Sequence, residues 1–264
     1  MAKGAQQKMS NGSGRFMFNG QASGFAARFH KLDDTPNLNH VVPMQGASVV
    51  PMSGGKSSNL VEGYRFDVDA PRRRCLVQVD RVTTAAEGRD TNGSYETEIS
   101  AEVTGLHVVE KLHCDRARMH MVSTYQDGAP ARVTTTGNRL EGFRLADIGV
   151  TVTFDDAPLA NSGNEDQFVR WHGQASRQCG QFAGHRTSTI VRDIQLNGNG
   201  PERRNMTVEG NMIRWVGFGR IYLGELYVKG NLRRLTLMRL EMGSDATGSG
   251  GGPEGQSNGG MGTN

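Results

Sequence analysis

With 264 residues, a formal net charge of +3 and a pI near 8.9, the chain can bury the core of one large β domain or two small ones. Acidic and basic residues are interspersed, so the mild positive excess is only weak evidence for a polyanionic partner. The three well-separated cysteines, Cys75, Cys114 and Cys179, give no disulfide framework and suit a reducing compartment. No run approaches the ~18 apolar residues of a membrane helix, and the first residues lack a secretory core, so a soluble, cytoplasmic protein is expected.

Residues 1–14 are mostly Gly, Ser, Gln and Asn and are expected to form a flexible tail. Arg15 to Asn19 predicts a short strand, and Gly24 to His30 a second strand or a helical turn. A local duplication follows, Val41-Val-Pro-Met44 and Val49-Val-Pro-Met52. A proline in each copy excludes a central strand, because it has no N–H for the ladder, and leaves edge strands or packed loop segments.

From Leu60 onward a glycine recurs inside apolar segments: Val61-Glu-Gly-Tyr-Arg-Phe66, Val103-Thr-Gly-Leu-His-Val108, Leu140-Glu-Gly-Phe-Arg-Leu145 and, in part, Val208-Glu-Gly-Asn-Met-Ile213. Such a glycine marks a bulge or a close backbone approach. Around Gly105 the apolar set moves from Ile99, Ala101 and Val103 to Leu106 and Val108, which predicts one residue absorbed as a bulge. One apolar and one wet face per strand is the mark of antiparallel sheets with a solvated side.

Residues 155–185 break this rhythm. Asn161-Ser-Gly-Asn164 can start a helix, and Phe168, Trp171 and Ala175 share a helical face, so a short helix-bearing insertion is expected. A strand from Thr187 to Leu196 and a turn at Asn197-Gly-Asn-Gly-Pro201 follow. Two apolar-rich runs, Arg220 to Val228 and Leu232 to Met242, flank Lys229-Gly-Asn231 and predict a hairpin whose phase shifts at Gly224. Residues 244–264, rich in Gly and Ser, are expected to be a second flexible tail. The fold expected is all-β, a mainly antiparallel β-sandwich over 15–243, with an irregular barrel or repeat-like β fold as the alternative.

Motifs with a specific chemical reading are absent. Ser53-Gly-Gly-Lys-Ser57 lacks the first glycine of a phosphate-cradling loop, and Gly255-Gln-Ser-Asn-Gly259 has a nucleophile elbow's spacing without the strand-to-helix turn that strains it. In the insertion, Cys179 with His172 or His185 could form a thiolate site or part of a zinc site. His107, His113 and His120 with Cys114 raise a weaker version of the same idea. Arginines at 72–74, 203–204 and 233–234 could supply an anion-binding set, Arg72, Arg74, Arg203 and Arg233, if the sheets bring them together.

Three functions follow from these features. The leading one is a non-enzymatic structural or binding module, without cofactor or metal, that forms a homo-oligomer or binds a protein partner. The second is an enzyme using the Cys179 neighbourhood. The third is a nucleic-acid binder acting through the arginines.

Overall fold

The alternation of apolar and polar residues does produce long antiparallel strands. The computed structural model describes residues 15–32, 39–69, 73–126, 132–155, 186–229, 232–243 and 246–261. The first strands are β1 (Phe16–Met17), β2 (Gly20–Leu32), β3 (His40–Val49), β4 (Gly55–Val68), β5 (Arg74–Thr91), β6 (Ser94–Val108) and β7 (Leu112–Gln126). Shorter ones follow: β8 (Arg132–Thr134), β9 (Arg139–Glu141), β10 (Arg144–Leu145), β11 (Ile148–Phe154), β12 (Arg186–Thr189) and β13 (Val191–Asn197). A 3-10 turn at Pro201–Asn205 leads to β14 (Met206–Glu209), β15 (Met212–Trp215), β16 (Gly219–Lys229), β17 (Leu232–Gly243), β18 (Ala246–Gly251), β19 (Glu254–Ser257) and β20 (Gly260–Met261).

Two antiparallel sheets pack face to face as a β-sandwich. One runs β13-β11-β10-β7-β6-β5-β4, with β8 and β9 also on β7. The other runs β14-β15-β16-β17, then β18 and β19 side by side along β17, then β2 and β3, with β12 on β16. β1 and β20 pair with each other. Consecutive strands β3 and β4 therefore close one edge of the sandwich, and β13 and β14 close the other.

The core is one cluster drawn from both inner faces, with Val82, Ile99, Val103 and Met119 from the first sheet meeting Ile221, Leu226, Leu235 and Leu240 from the second. Each such side chain, fully buried, contributes about 1.5–3 kcal/mol. A small aromatic cluster caps the domain where β1 meets β20. There Phe16 stacks on Tyr95 at 4.2 Å beside Phe18, Val50 and Tyr125.

The predicted hairpin forms, with Gly219 opposite Met242 and Lys229 opposite Leu232. Gly224, at φ +57°, moves the buried set from Ile221 and Leu223 to Leu226 and Val228. No residue is inserted there, because Leu223 faces Met238 and Glu225 faces Thr236. The bulge expected at Gly105 is corrected in the same way. Val103 pairs with Val82 and His107 with Gln78, in one unbroken register across the glycine.

The phase changes because neighbouring strands change it together. The registers place Gly63, Asp80, Gly105, Asp115 and Gly142 in one row across β4 to β9. Gly105 has φ +62°, and a Cβ there would collide with the Asp80 carboxyl, as one at Gly142 would with Asp115. The sheet is thus creased along a line of alternating Gly and Asp. The glycines take the left-handed backbone that other residues adopt at a cost, and each aspartate occupies the space a side chain would need.

The C-terminal tail is also corrected, because residues 246–261 supply β18, β19 and β20. Their composition resembles a linker for a packing reason. Gly248 lies against the backbone of Arg28 and Phe29, and Gly255 lies under Met119 and Ile99, so larger residues do not fit. Residues 1–14 and the expected helix within 156–185 lie outside the described residues.

Candidate functional site

The duplicated stretch is where the surface departs most from a polar exterior. In the first copy Val41 is 59% exposed, Val42 is buried and Met44 is 55% exposed. In the second, Val49 is 59% exposed, Val50 is buried and Met52 is 66% exposed. Pro43 and Pro51 are exposed in both. The duplication in sequence is therefore a duplication in burial: each copy sends its second valine inward and presents Val, Pro and Met to solvent.

Both copies lie on β3 and the link to β4, and among the described residues β3 pairs only with β2. The edge-strand reading of the prolines is correct for this strand. With Leu60 on β4, this edge holds five of the eight exposed large hydrophobic side chains among the described residues. No Asp, Glu, Lys or Arg occurs from Val41 to Gly55. Ser48 anchors the strand inward, its hydroxyl 2.7 Å from that of Thr84 on β5.

From Val41, Pro43 and Met44 an open groove of about 720 Å³ runs over the outer face of the second sheet. Its floor is small, with Ala26, Gly250 and Gly251, and its far wall is formed by β16 and β17. On that wall Arg239 lies 3.9 Å over Tyr222 and clasps Glu225 at 2.6 and 2.8 Å. Arg234 lies over Tyr227 at 5.2 Å. The Gly224 phase change is what places Tyr222 and Tyr227, five residues apart, on the same outer face.

The opposite edge differs. On β13, Arg192 and Asp193 are exposed, and beside β14 stand Glu202, Arg203, Arg204 and Glu209. Glu202 accepts a hydrogen bond from the Trp215 indole at 2.9 Å. That bond, with a second from Asn205, holds its carboxyl below the usual carboxylate range.

The sequence candidates are scattered. Cys179, His172, His185 and Arg72 lie outside the described residues. Arg74 begins β5, half-buried, while Arg203 sits in the 3-10 turn at the other edge and donates to the Met206 carbonyl at 3.3 Å. Arg233 is 1% exposed and donates to the Leu232 carbonyl, so its guanidinium is not at the surface. These three arginines do not share a face.

His107 and His113 are cross-strand neighbours, with His113 Nδ1 2.9 Å from His107 Nε2 and His113 Nε2 2.5 Å from Asp115 Oδ1. Burial, and then the neighbouring His113, lower the pKa of His107. His120 stands apart between Glu98 and the Thr136 carbonyl. Cys114 points into the core, where burial pushes its thiol up to about 12, so it is no thiolate at neutral pH. Among the described residues no three His, Cys, Asp or Glu side chains are grouped to hold a metal, and no helix is long and apolar enough to cross a membrane. Ser53 to Ser57 leads into strand β4 and not into a helix, so it lacks the helix N-terminus of a phosphate cradle.

A family model described as a domain of unknown function, DUF8256, matches residues 16–174, more than half of the chain. The chain belongs to the DUF8256 family. No curated protein and no solved structure matches it. The DUF8256 match takes in β1 to β11, and with them the duplicated edge and the crease.

Proposed function

We propose that this DUF8256 chain is a non-enzymatic structural or binding module that assembles with copies of itself or docks a protein partner through its β3–β4 edge. The carrying observation is the repeated exposure of Val, Pro and Met at the two copies of the duplication, on an edge strand without charge. Water gains by losing contact with such side chains, and a row of backbone groups without a strand partner among the described residues favours another chain over solvent. Isolated exposed apolar residues need no explanation, but a concentration of them along one edge marks an interaction surface.

Sedimentation of the purified chain over a hundredfold range of concentration tests this reading. The expected outcome for self-assembly is a mass above one chain that rises with concentration. A single-chain mass throughout removes the self-assembly part and leaves only docking to a different protein.

A further inference from the structure

Beside the crease, on the outer face of the first sheet, two histidines meet across β6 and β7. His113 Nδ1 lies 2.9 Å from Nε2 and 3.2 Å from Nδ1 of His107, with the ring centres 4.2 Å apart. On its other side His113 Nε2 is 2.5 Å from Asp115 Oδ1, so that nitrogen carries a hydrogen. A neutral imidazole has one N–H, which leaves Nδ1 of His113 as the acceptor and makes His107 the donor. One added proton reverses the direction: His113 then donates from both nitrogens, and a bare nitrogen of His107 accepts. A second added proton puts a hydrogen on each side of the contact, and the rings must part.

The pair stands at the base of a strained turn. Val108 pairs with Leu112 just beyond it, and between them Val109 has φ +52° and Glu110 φ +56°. Side chains adopt that backbone at a cost, β-branched ones above all. The Val109 amide donates to the Leu76 carbonyl at 2.8 Å, and the Lys111 amide to that of Val108 at 3.1 Å. Two further turns hang on Lys111. Its carbonyl accepts from the Ala146 amide at 2.7 Å, where Ala146 is itself at φ +51°, and its Nζ donates to the Gly217 carbonyl between β15 and β16 at 2.8 Å.

We infer that the His107–His113 pair is a proton-operated latch on the β6–β7 turn, closed while the two rings share at most one added proton and open when both are charged. Asp80 and Asp115 favour a charged His107, and Arg144 opposes it. Arg144 lies opposite His113 on β10, so two imidazoliums would stand in a row with a third cation. Of the other charged groups around the pair, Arg65 is held by Asp67 and Gln78, Glu141 by Arg139 and Arg116, and Glu110 lies in the turn itself. Burial, and then His113, lower the pKa of His107 from its ordinary 6.5, so the folded chain takes up that proton less readily than the unfolded one. Stability from the closed latch is therefore full above the ordinary value and falls as pH drops from it toward the lowered one.

Amide exchange of the full chain, with protection taken relative to the intrinsic rate at each pH, tests the latch at Val109 and Lys111. Both amides should lose protection severalfold across the range in which histidines charge, from about pH 7.5 to about 5.5. His107→Gln should hold its protection throughout, because a carboxamide can turn over to offer His113 either an N–H or a carbonyl. His113→Ala should show the low protection already at the upper end. Titration of the imidazoles by NMR is a second measurement, in which His113→Ala should raise the midpoint of His107. Constant protection in the unsubstituted chain, an equal loss in His107→Gln, or a His107 midpoint indifferent to His113→Ala would each overturn the latch.

Discussion

The two edges of the sandwich meet the same physical problem in opposite ways. At β13 and β14 the exposed positions include Arg192, Asp193 and Glu209, beside Thr207 and a single large apolar side chain, Val208, and the adjoining turn adds Glu202, Arg203 and Arg204. Burying any of the charged ones against another chain would require desolvating a charge. At β3 the exposed positions are Val41, Met44 and Val49, followed by Met52, and desolvating these is favourable. Natural edge strands are guarded by charge, proline or irregularity. The β13–β14 edge has charge, whereas β3 has Pro43 and an irregular register without charge. Such a strand limits open-ended ladder growth while leaving its side chains available, which suits a contact that closes on itself.

The largest effect is expected from a residue that belongs to neither edge. Gly105→Val puts a β-branched side chain at φ +62° and against Asp80, and should destabilise the fold by about 2–4 kcal/mol. Denaturant unfolding measures it, and a smaller loss in a chain that no longer assembles would show that the crease, and not the edge, sets intrinsic stability. Next, Arg192→Val with Asp193→Val removes the charges of β13. Species larger than those of the unmodified chain are then expected by light scattering, because both edges would be open to association.

A smaller effect concerns Glu202. Its carboxyl pKa is held below the ordinary range by Trp215 and Asn205, so its contribution is present above that range and is lost as pH falls through its lowered pKa. At neutral pH it amounts to no more than about 1 kcal/mol, given its partial exposure. Protection of the Trp215 indole proton, taken relative to the intrinsic exchange rate at each pH, should therefore fall in acid, and Glu202→Ala should show the lower protection already at neutral pH. Least of all should salt matter to the β3 contact. Between about 0.05 and 0.5 M salt the oligomeric mass should hold steady, whereas association through the charged edge would weaken as screening grows.

Much of this was legible in the sequence. Alternation along β6 and β7, the hairpin of β16 and β17, the phase change at Gly224 and the edge character of the first Val-Val-Pro-Met all follow from local periodicity and proline chemistry. Three features were not legible, each for a physical reason. Phase changes at single glycines look like bulges when strands are read one at a time; only the registers show Gly63, Asp80, Gly105, Asp115 and Gly142 in one row. Gly248 and Gly255 read as linker because their role is to be small under Arg28 and Met119, which lie far away in sequence. The duplication was visible, but the apolar surface it forms depends on Val42 and Val50 turning inward while their neighbours stay in solvent.

Arginine clustering misled for a related reason. Adjacent residues on a strand point to opposite faces, and so Arg233 is buried while Arg234 stacks on Tyr227. Arg239, isolated in the sequence, makes the tighter aromatic and carboxylate contacts beside the groove.

The most direct test of the central claim is the mass in solution of the unmodified chain beside that of Met44→Lys with Met52→Lys. Both methionines are largely exposed, so the substitutions should leave the circular dichroism spectrum unchanged while setting like charges at both ends of the contact. An oligomer for the unmodified chain and a single-chain mass for the double variant are expected. An oligomer that persists unchanged in the double variant would contradict an interface at β3.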